Sequence, residues 1–269
     1  MADFRNPVPP ASTLRPLLSA GLPARDGSAR EFTFSTTDFD RVRKLIYQHA
    51  GISLSPVKQD MVYSRLARRL RATGMPSFAA YLDGLERNGG DEWERFVNSL
   101  TTNLTSFFRE PHHFPIFADH LRKLRTKRPV RVWCSAASTG EEPYSIAITV
   151  AETFGANVSH VSIVASDLDT NVLATAEKGV YPIERVEKLS PERLRKFFLR
   201  GTGSQEGFVS VRPELRRMLT FQRLNLLDAS YAVKGPLDVI FCRNVMIYFD
   251  KPTQYKILSR FAPIMQPDG

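Results

Sequence analysis

The spacing of apolar positions divides the chain into stretches of different rhythm. From residue 34 to about 108 the apolar side chains recur at helical intervals, with clear punctuation between runs. Residues 35–38 are suited to cap a helix that carries Phe39, Val42 and Ile46 and ends at Gly51. Ser55 and Pro56 open a second helix running to Gly74, with Val62, Leu66 and Leu70 as its core stripe. Ser77 opens a third, carrying Phe78, Tyr81, Leu82 and Leu85 and closed by Gly89 and Gly90. Asp91 is placed to cap a fourth with Trp93, Phe96 and Leu100, and a connecting helix is predicted over 113–127.

At Val130 the rhythm changes to strands alternating with helices, the signature of a parallel α/β sheet. Val130, Val132 and Trp133 have strand character and lead into a loop of small residues, among them Ala136, Ala137, Ser138 and Gly140. Thr139, with Glu142 three residues on and then Pro143, matches a capping box, so a helix is expected to run through Ile146, Ala147 and Val150 and stop at Gly155. A second strand, 161–166, ends in Asp167, and a crossover helix is expected over 170–178. Regularity then breaks: a charged helix at 191–198 and a glycine-rich turn at 201–207 between extended pieces predict a hairpin-bearing insertion. Strand character returns at 219–223 and 237–241, followed by a last helix over 253–264. The closing Pro267, Asp268 and Gly269 resemble a turn leading to a further strand, so the sheet is expected to be clipped with one edge open. The predicted layout is a flexible proline-bearing tail at 1–30, a helical domain at 31–110, a linker helix at 111–129, and an α/β domain at 130–269 with a β-rich insertion near 181–215.

Composition narrows the class. With 269 residues, 42% hydrophobic and 10% aromatic, the chain is globular and long enough for one large or two ordinary domains. The net charge of +9 favours an acidic partner, whether nucleic acid, protein or membrane surface. Cys134 and Cys242 each end a predicted strand and, without a secretory leader, read as reduced thiols of a cytoplasmic protein. No apolar run approaches the roughly 18 residues of a membrane span. His112 and His113 are adjacent and no Cys-x-x-Cys occurs, so no metal site is expected. No apolar helix face is left over, which points to a monomer.

A strand, a small-residue turn, a helix and a second strand ending in an acid form the plan of a nucleotide-cofactor unit, with Asp167 placed for ribose hydroxyls. The spaced glycines of the dinucleotide fingerprint are absent, which argues against NAD; plain α/β packing is the alternative for such a loop. Three further segments converge on the carboxyl ends of the strands: 102–109, 225–228 and 241–250.

Those segments carry a specific resemblance. Residues 101–114, the 135–145 run (Ser-Ala-Ala-Ser-Thr-Gly-Glu-Glu-Pro-Tyr-Ser), 165–170 and 241–250 are similar to the CheR family of chemotaxis receptor methyltransferases, over a span from about Phe34 to Gly269. The resemblance implies a class I S-adenosylmethionine-dependent methyltransferase, a Rossmann-like sheet with a small all-helical N-terminal domain and an inserted small β-subdomain. It implies methyl transfer to glutamate side chains of chemoreceptor cytoplasmic domains, giving methyl esters and S-adenosylhomocysteine. It assigns cofactor contacts to Asn103, Thr105, Arg109, Glu142, Asp167, Asn225, Leu226, Arg243 and Asn244. The residues alone leave Glu141 and Glu142 open; the family pattern favours Glu142.

The chemistry agrees with that assignment. The Asn225–Leu226 pair offers an amide to the polar edge of adenine and an apolar surface to its face. Arg109 is a two-pronged donor suited to a carboxylate, either that of the methionine moiety or that of the acceptor. Arg109 and Tyr248 are the candidates for orienting the acceptor carboxylate. Lys58, Arg65, Arg68 and Arg69 share an arc of about 100° beside the core stripe of the second helix and are the candidates for docking an acidic receptor helix; a solvated face is the alternative. In some members the β-subdomain grips a peptide at the receptor's C-terminal end. Two other readings compete: a nucleic-acid methyltransferase, disfavoured by the lack of an Asn-Pro-Pro-Tyr-type motif, and a module that binds S-adenosylmethionine without turnover.

Overall fold

The computed structural model describes residues 30–124, 129–155 and 158–269. Nearly all of the tail predicted for 1–30, and the last residues of the predicted linker helix, lie outside the described residues.

The helical region forms as its punctuation predicts. Helix α1 (Thr36–Ala50) starts with a complete capping box: Ser35 Oγ accepts from Asp38 N and Ser35 N donates to Asp38 Oδ2, while Gly51 ends it at φ 69°. One 3₁₀ turn (Pro56–Lys58) precedes α2 (Gln59–Thr73), which Gly74 closes at φ 68°. Helix α3 (Phe78–Asn88) is capped by Ser77, whose Oγ accepts from Ala80 N. In α4 (Asp91–Leu100) the cap position belongs to Gly90, not Asp91; Asp91 is instead in the first turn, where its charge faces the positive end of the helix dipole. Phe39, Val42, Ile46, Leu66, Leu70, Phe78, Leu82 and Phe96 fill the core between these helices. Helix α5 (His113–Leu124) leads to the sheet.

The α/β region runs β1 (Val130–Cys134), α6 (Glu141–Phe154), β2 (Val161–Asp167), α7 (Thr170–Lys178), β3 (Val180–Pro182), α8 (Pro191–Phe197), β4 (Phe198–Arg200), β5 (Phe208–Val211), α9 (Pro213–Arg216), β6 (Leu219–Arg223), β7 (Val239–Phe241) and α10 (Lys251–Phe261). The main sheet is wholly parallel in the order β6-β2-β1-β7, so β1 and β2 are central and their carboxyl ends are flanked on both sides. The predicted insertion is a three-stranded antiparallel sheet, β3-β5-β4. Strand β7 is shorter than 237–241 because Leu237 pairs with Met265, and Asp238 uses its carboxylate to accept from Arg131 N. Every residue of α6 from Glu141 to Val150 is buried, as expected of a helix packed between the sheet, α5 and α9. The outer face of α10 leaves Tyr255 and Leu258 exposed, so the absence of a spare apolar face no longer argues for a monomer.

Two sets of bonds fasten the helical region across the top of the sheet. On one side Asn98 donates to Thr170 Oγ1 (3.1 Å), Thr170 to Glu94 (2.6 Å) and Thr101 to Asp169 (2.8 Å). On the other, Tyr47 donates to Asp250 (2.7 Å), Asn225 Nδ2 to His49 O (2.8 Å) and Ser53 N to Tyr248 O (2.8 Å).

The predicted capping box at Thr139 is not formed. Gly140 holds the N-cap of α6 at φ 100°, and Thr139 Oγ1 donates to Glu141 instead (2.6 Å). The loop must turn sharply here with no room for a side chain: a Cβ on Gly140 would lie 2.6 Å from Tyr181 Oη and 2.9 Å from Ala176 Cα. Gly140→Ala is therefore expected to cost about 1–2 kcal/mol for the left-handed backbone and about 1–3 kcal/mol more for overpacking. Urea unfolding monitored by tryptophan fluorescence measures the sum; a midpoint matching that of the unaltered protein would contradict it.

Candidate active site

A cavity of about 480 Å³ opens between the carboxyl ends of the parallel strands and the underside of the helical region, within the usual range for a small-molecule site. Asn103, Thr105, Arg109, Glu142, Asp167, Asn225, Leu226, Arg243, Asn244 and Tyr248 all line it. Residues nearly 150 positions apart meet here because the carboxyl ends of β1, β2, β6 and β7 open onto one side, and the segment after α4 lies against them.

The backbone around the cavity is strained. Phe108 (φ 51°), Glu110 (φ 53°), Ser138 (φ 48°) and Asn244 (φ 56°) occupy the left-handed region without being glycine, and all four line or adjoin the cavity. Such conformations cost on the order of 1–3 kcal/mol each and persist only where surroundings impose them. The impositions are visible: Phe108 N donates to Ser145 Oγ (2.9 Å), Asn244 Nδ2 to Glu110 Oε1 (2.9 Å), Ser138 N to Asp167 Oδ2 (2.8 Å) and Ser138 Oγ to Asn103 O (3.2 Å).

Arg243 binds the loops to one another. Its Nη1 donates to Glu142 Oε2 (2.8 Å), its Nη2 to Arg109 O (2.5 Å), and it lies 3.4 Å from Glu110. Its Nε is buried with no acceptor, a donor held in the wall of the cavity. Glu142 Oε1 accepts in turn from the buried Cys134 thiol (3.3 Å). Burial pushes the Glu142 carboxyl above its ordinary range, with the Arg243 charge pulling the other way. Asp167 is likewise pushed up by burial, opposed by the backbone N–H groups of Asp169 and Ser138, one on each oxygen. Each of those oxygens keeps accepting capacity beyond its single bond. Arg109 Nη1 donates to Leu104 O (2.7 Å), which fixes the loop that carries it.

The two adjacent glutamates separate cleanly. Glu142 faces the cavity, whereas Glu141 is fully buried and ion-paired with Arg185, whose Nε donates to it at 2.9 Å. Asn225 does two jobs, reaching His49 O with its amide nitrogen while Oδ1 accepts from Leu227 N (3.0 Å).

The cationic arc on α2 is only partly free. Arg65 donates to Thr101 O (2.5 Å), and Arg69 makes a two-pronged pair with Glu92 (2.9 and 2.7 Å) that Tyr81 also joins. Packing against α4 turns both side chains inward, a partner that periodicity along α2 alone does not reveal. Arg68 is exposed, and Lys58 lines the cavity. Sequence reasoning passes over Asp169, a buried carboxylate that caps α7 and accepts from both Thr101 and Asn103 (2.8 and 2.9 Å). Its signal was present as an Asp one residue before a helix start.

A parallel sheet with a small-residue turn after its central strand, an acid at the end of the neighbouring strand and a cavity above both is the arrangement of a class I S-adenosylmethionine-dependent methyltransferase. The comparisons give the particular kind. Residues 103–269 match the family model described as CheR methyltransferase, SAM binding domain, and residues 37–101 match CheR methyltransferase, all-alpha domain. This chain belongs to the CheR methyltransferase family. It is 55% identical over 236 residues to the chemotaxis protein methyltransferase of Escherichia coli, covering 87% of this chain and 82% of that protein. It is 52% identical over 241 residues to chemotaxis protein methyltransferase 2 of Pseudomonas aeruginosa (89% and 86% covered), and 40% identical over 233 residues to a probable chemotaxis protein methyltransferase of Rhizobium etli (84% and 86% covered). Among the described residues no helix is long and apolar enough to cross a membrane.

S-adenosylmethionine fits the donor set: two buried acids suit its cationic and hydroxyl groups, and the unpartnered Arg243 Nε suits an anionic or carbonyl oxygen. Because Glu142 and Asp167 are both raised, they protonate on acidification before ordinary carboxylates do. Cofactor affinity, measured by calorimetry, is therefore expected to fall as pH is lowered from neutrality, and Glu142→Gln is expected to bind about tenfold more weakly with a flatter pH profile. A Kd for the unaltered protein that does not change over that interval would contradict this.

Proposed function

We propose that this protein transfers the methyl group of S-adenosylmethionine to glutamate carboxylates on the cytoplasmic helices of chemoreceptors, acting in the cytoplasm and producing glutamate methyl esters and S-adenosylhomocysteine. The observation that carries this reading is the cavity itself: a methyltransferase site roofed by a helical region and rimmed by Lys58. In this reading Asp167 accepts from the ribose hydroxyls, Asn225 and Leu226 hold the adenine, and Glu142 takes the ammonium end of the cofactor. Asn103, Thr105, Arg243 and Asn244 complete the wall. Arg109 and Tyr248 orient the acceptor carboxylate.

S-adenosylmethionine supplies a methyl group already activated on a sulfonium. An acceptor glutamate with an ordinary pKa of about 4.3 is ionised at neutral pH, so the protein needs no general base. Its own work is alignment and removal of water from the acceptor oxygen, both of which a strained, cross-braced loop cluster performs well. Arg68, exposed on α2, and Lys58, at the cavity rim, are the remaining candidates for attraction of an acidic receptor helix. The small β3-β5-β4 sheet, with Val180, Leu199 and Phe208 exposed, offers a seat for a receptor C-terminal peptide in the same scheme.

Incubation with methyl-labelled S-adenosylmethionine and a receptor signalling fragment tests the proposal. Base-labile label on the receptor is expected. Stable label on DNA, or cofactor binding without transfer, would overturn it. Arg68→Glu is expected to raise receptor KM several-fold at low salt, with the effect shrinking as ionic strength rises and cofactor affinity unchanged.

A further inference from the structure

We propose that the mouth of the cavity is an apolar collar, formed by Leu104 and Ile247 and extended by Val57, that seats an amphipathic acceptor helix by the apolar side chains lying one turn either side of its target glutamate. This deepens the glutamate reading and rests on it.

The collar is visible as a breach of ordinary burial. Val57, Leu104 and Ile247 are 85%, 75% and 74% exposed, among the most exposed large apolar side chains of the described residues. They come from three unconnected segments. Leu104 and Ile247 line the cavity and are still solvent-exposed, which places them at its opening, and Val57 lies between Ser55 and Lys58, which also line it. One exposed aliphatic is unremarkable, but exposed aliphatics from separate segments at the mouth of one cavity mark a contact surface.

None of the three sits on slack chain. The Leu104 carbonyl is held by Arg109 Nη1 (2.7 Å). Ile247 lies in the 3₁₀ turn Met246–Tyr248, which is fastened by Gln254 Nε2 to Met246 O (2.9 Å) and by Ser53 N to Tyr248 O (2.8 Å). Val57 lies in the turn Pro56–Lys58, closed by Lys58 N to Ser55 O (3.0 Å). The fold thus spends hydrogen bonds on holding apolar side chains out in water.

The occupant follows from geometry and charge. A helix offering one glutamate to the cavity presents residues three and four positions away on the same face, about 5–6 Å from it, so those residues land on the rim. They must be apolar to match Leu104 and Ile247. Lys58, next to Val57 in the chain and lining the cavity, supplies a cation at the rim that draws the acidic side chain inward towards Arg109, and apolar contact around it excludes water from the carboxylate. The collar also takes over the role that Arg65 and Arg69, paired inside the helical region, do not fill.

Steady-state methyl transfer to a receptor signalling fragment tests this with Leu104→Gln and Ile247→Gln, whose exposed side chains leave the core untouched. Each is expected to raise receptor KM about tenfold, with cofactor Kd by calorimetry unchanged. The loss is expected to persist at high ionic strength, and Leu104→Met is expected to restore KM. Replacing the apolar residues three and four positions from the target glutamate by serine is expected to raise KM for the unaltered enzyme and to add little to either variant. KM values within twofold of the unaltered enzyme would overturn the collar. So would a loss that tracks weakened cofactor binding, or self-association of the unaltered protein that Ile247→Gln abolishes, since a second copy would then be the occupant. An unaltered enzyme that labels no receptor would instead remove the glutamate reading, and the collar with it.

Discussion

The guanidinium of Arg243 is the joint on which the site depends. It reaches Glu142 at the start of α6, the carbonyl of Arg109 in the loop after α4, and Glu110 beyond it, while its own backbone follows β7. Both members of the Arg243–Glu142 pair are about nine-tenths buried, so neither charge is cheaply released. Removing one partner from such a pair typically costs about 3–5 kcal/mol because the other is left uncompensated. Replacing both by apolar groups is far less costly, so the pair is better understood as fixing geometry than as adding stability. It commits the loops from β1, β7 and the helical region to one arrangement.

That arrangement is held under strain. Phe108, Glu110, Ser138 and Asn244 all adopt left-handed backbone, and each is tied by a specific hydrogen bond to a distant segment of the chain. The helical region braces the other side through Asn225 to His49 and Ser53 to Tyr248. A cavity built this way is shaped before any ligand arrives. For a reaction whose electrophile is activated in advance and whose nucleophile is already ionised, preformed alignment is most of what a protein has to contribute.

The fold was legible in the sequence wherever one residue controls its own neighbourhood. Gly51 and Gly74 end helices in left-handed conformation, Ser35 and Ser77 start them, and Asp167 ends β2, all as local rules require. The segments 102–109, 225–228 and 241–250 were legible as neighbours because loops at the carboxyl ends of a parallel sheet share one side of it, and the resemblance to the family picked the individual residues among them. Illegible features were those decided by a partner far along the chain. Thr139 fits a capping box by spacing, yet the tight approach of Tyr181 and Ala176 gives the cap to Gly140. Arg65 and Arg69 look like a solvated or docking face until α4 brings Glu92 and the Thr101 carbonyl against them. The separation of Glu141 from Glu142 depends on Arg185, 44 positions away from the first of them. Exposed Leu104 and Ile247 gave no signal at all, since an apolar residue in a loop is read as buried until a structure shows otherwise.

A double-mutant cycle on Glu142 and Arg243 tests the central claim most directly, with calorimetric Kd for S-adenosylmethionine measured for Glu142→Gln, Arg243→Gln and the pair. If the loops act as one unit through this joint, the second substitution adds little once the first is made, giving a coupling of about 1 kcal/mol, close to the whole loss of the Glu142 single substitution and within the range found for residues in contact. Losses that simply add would show two independent residues and contradict the account.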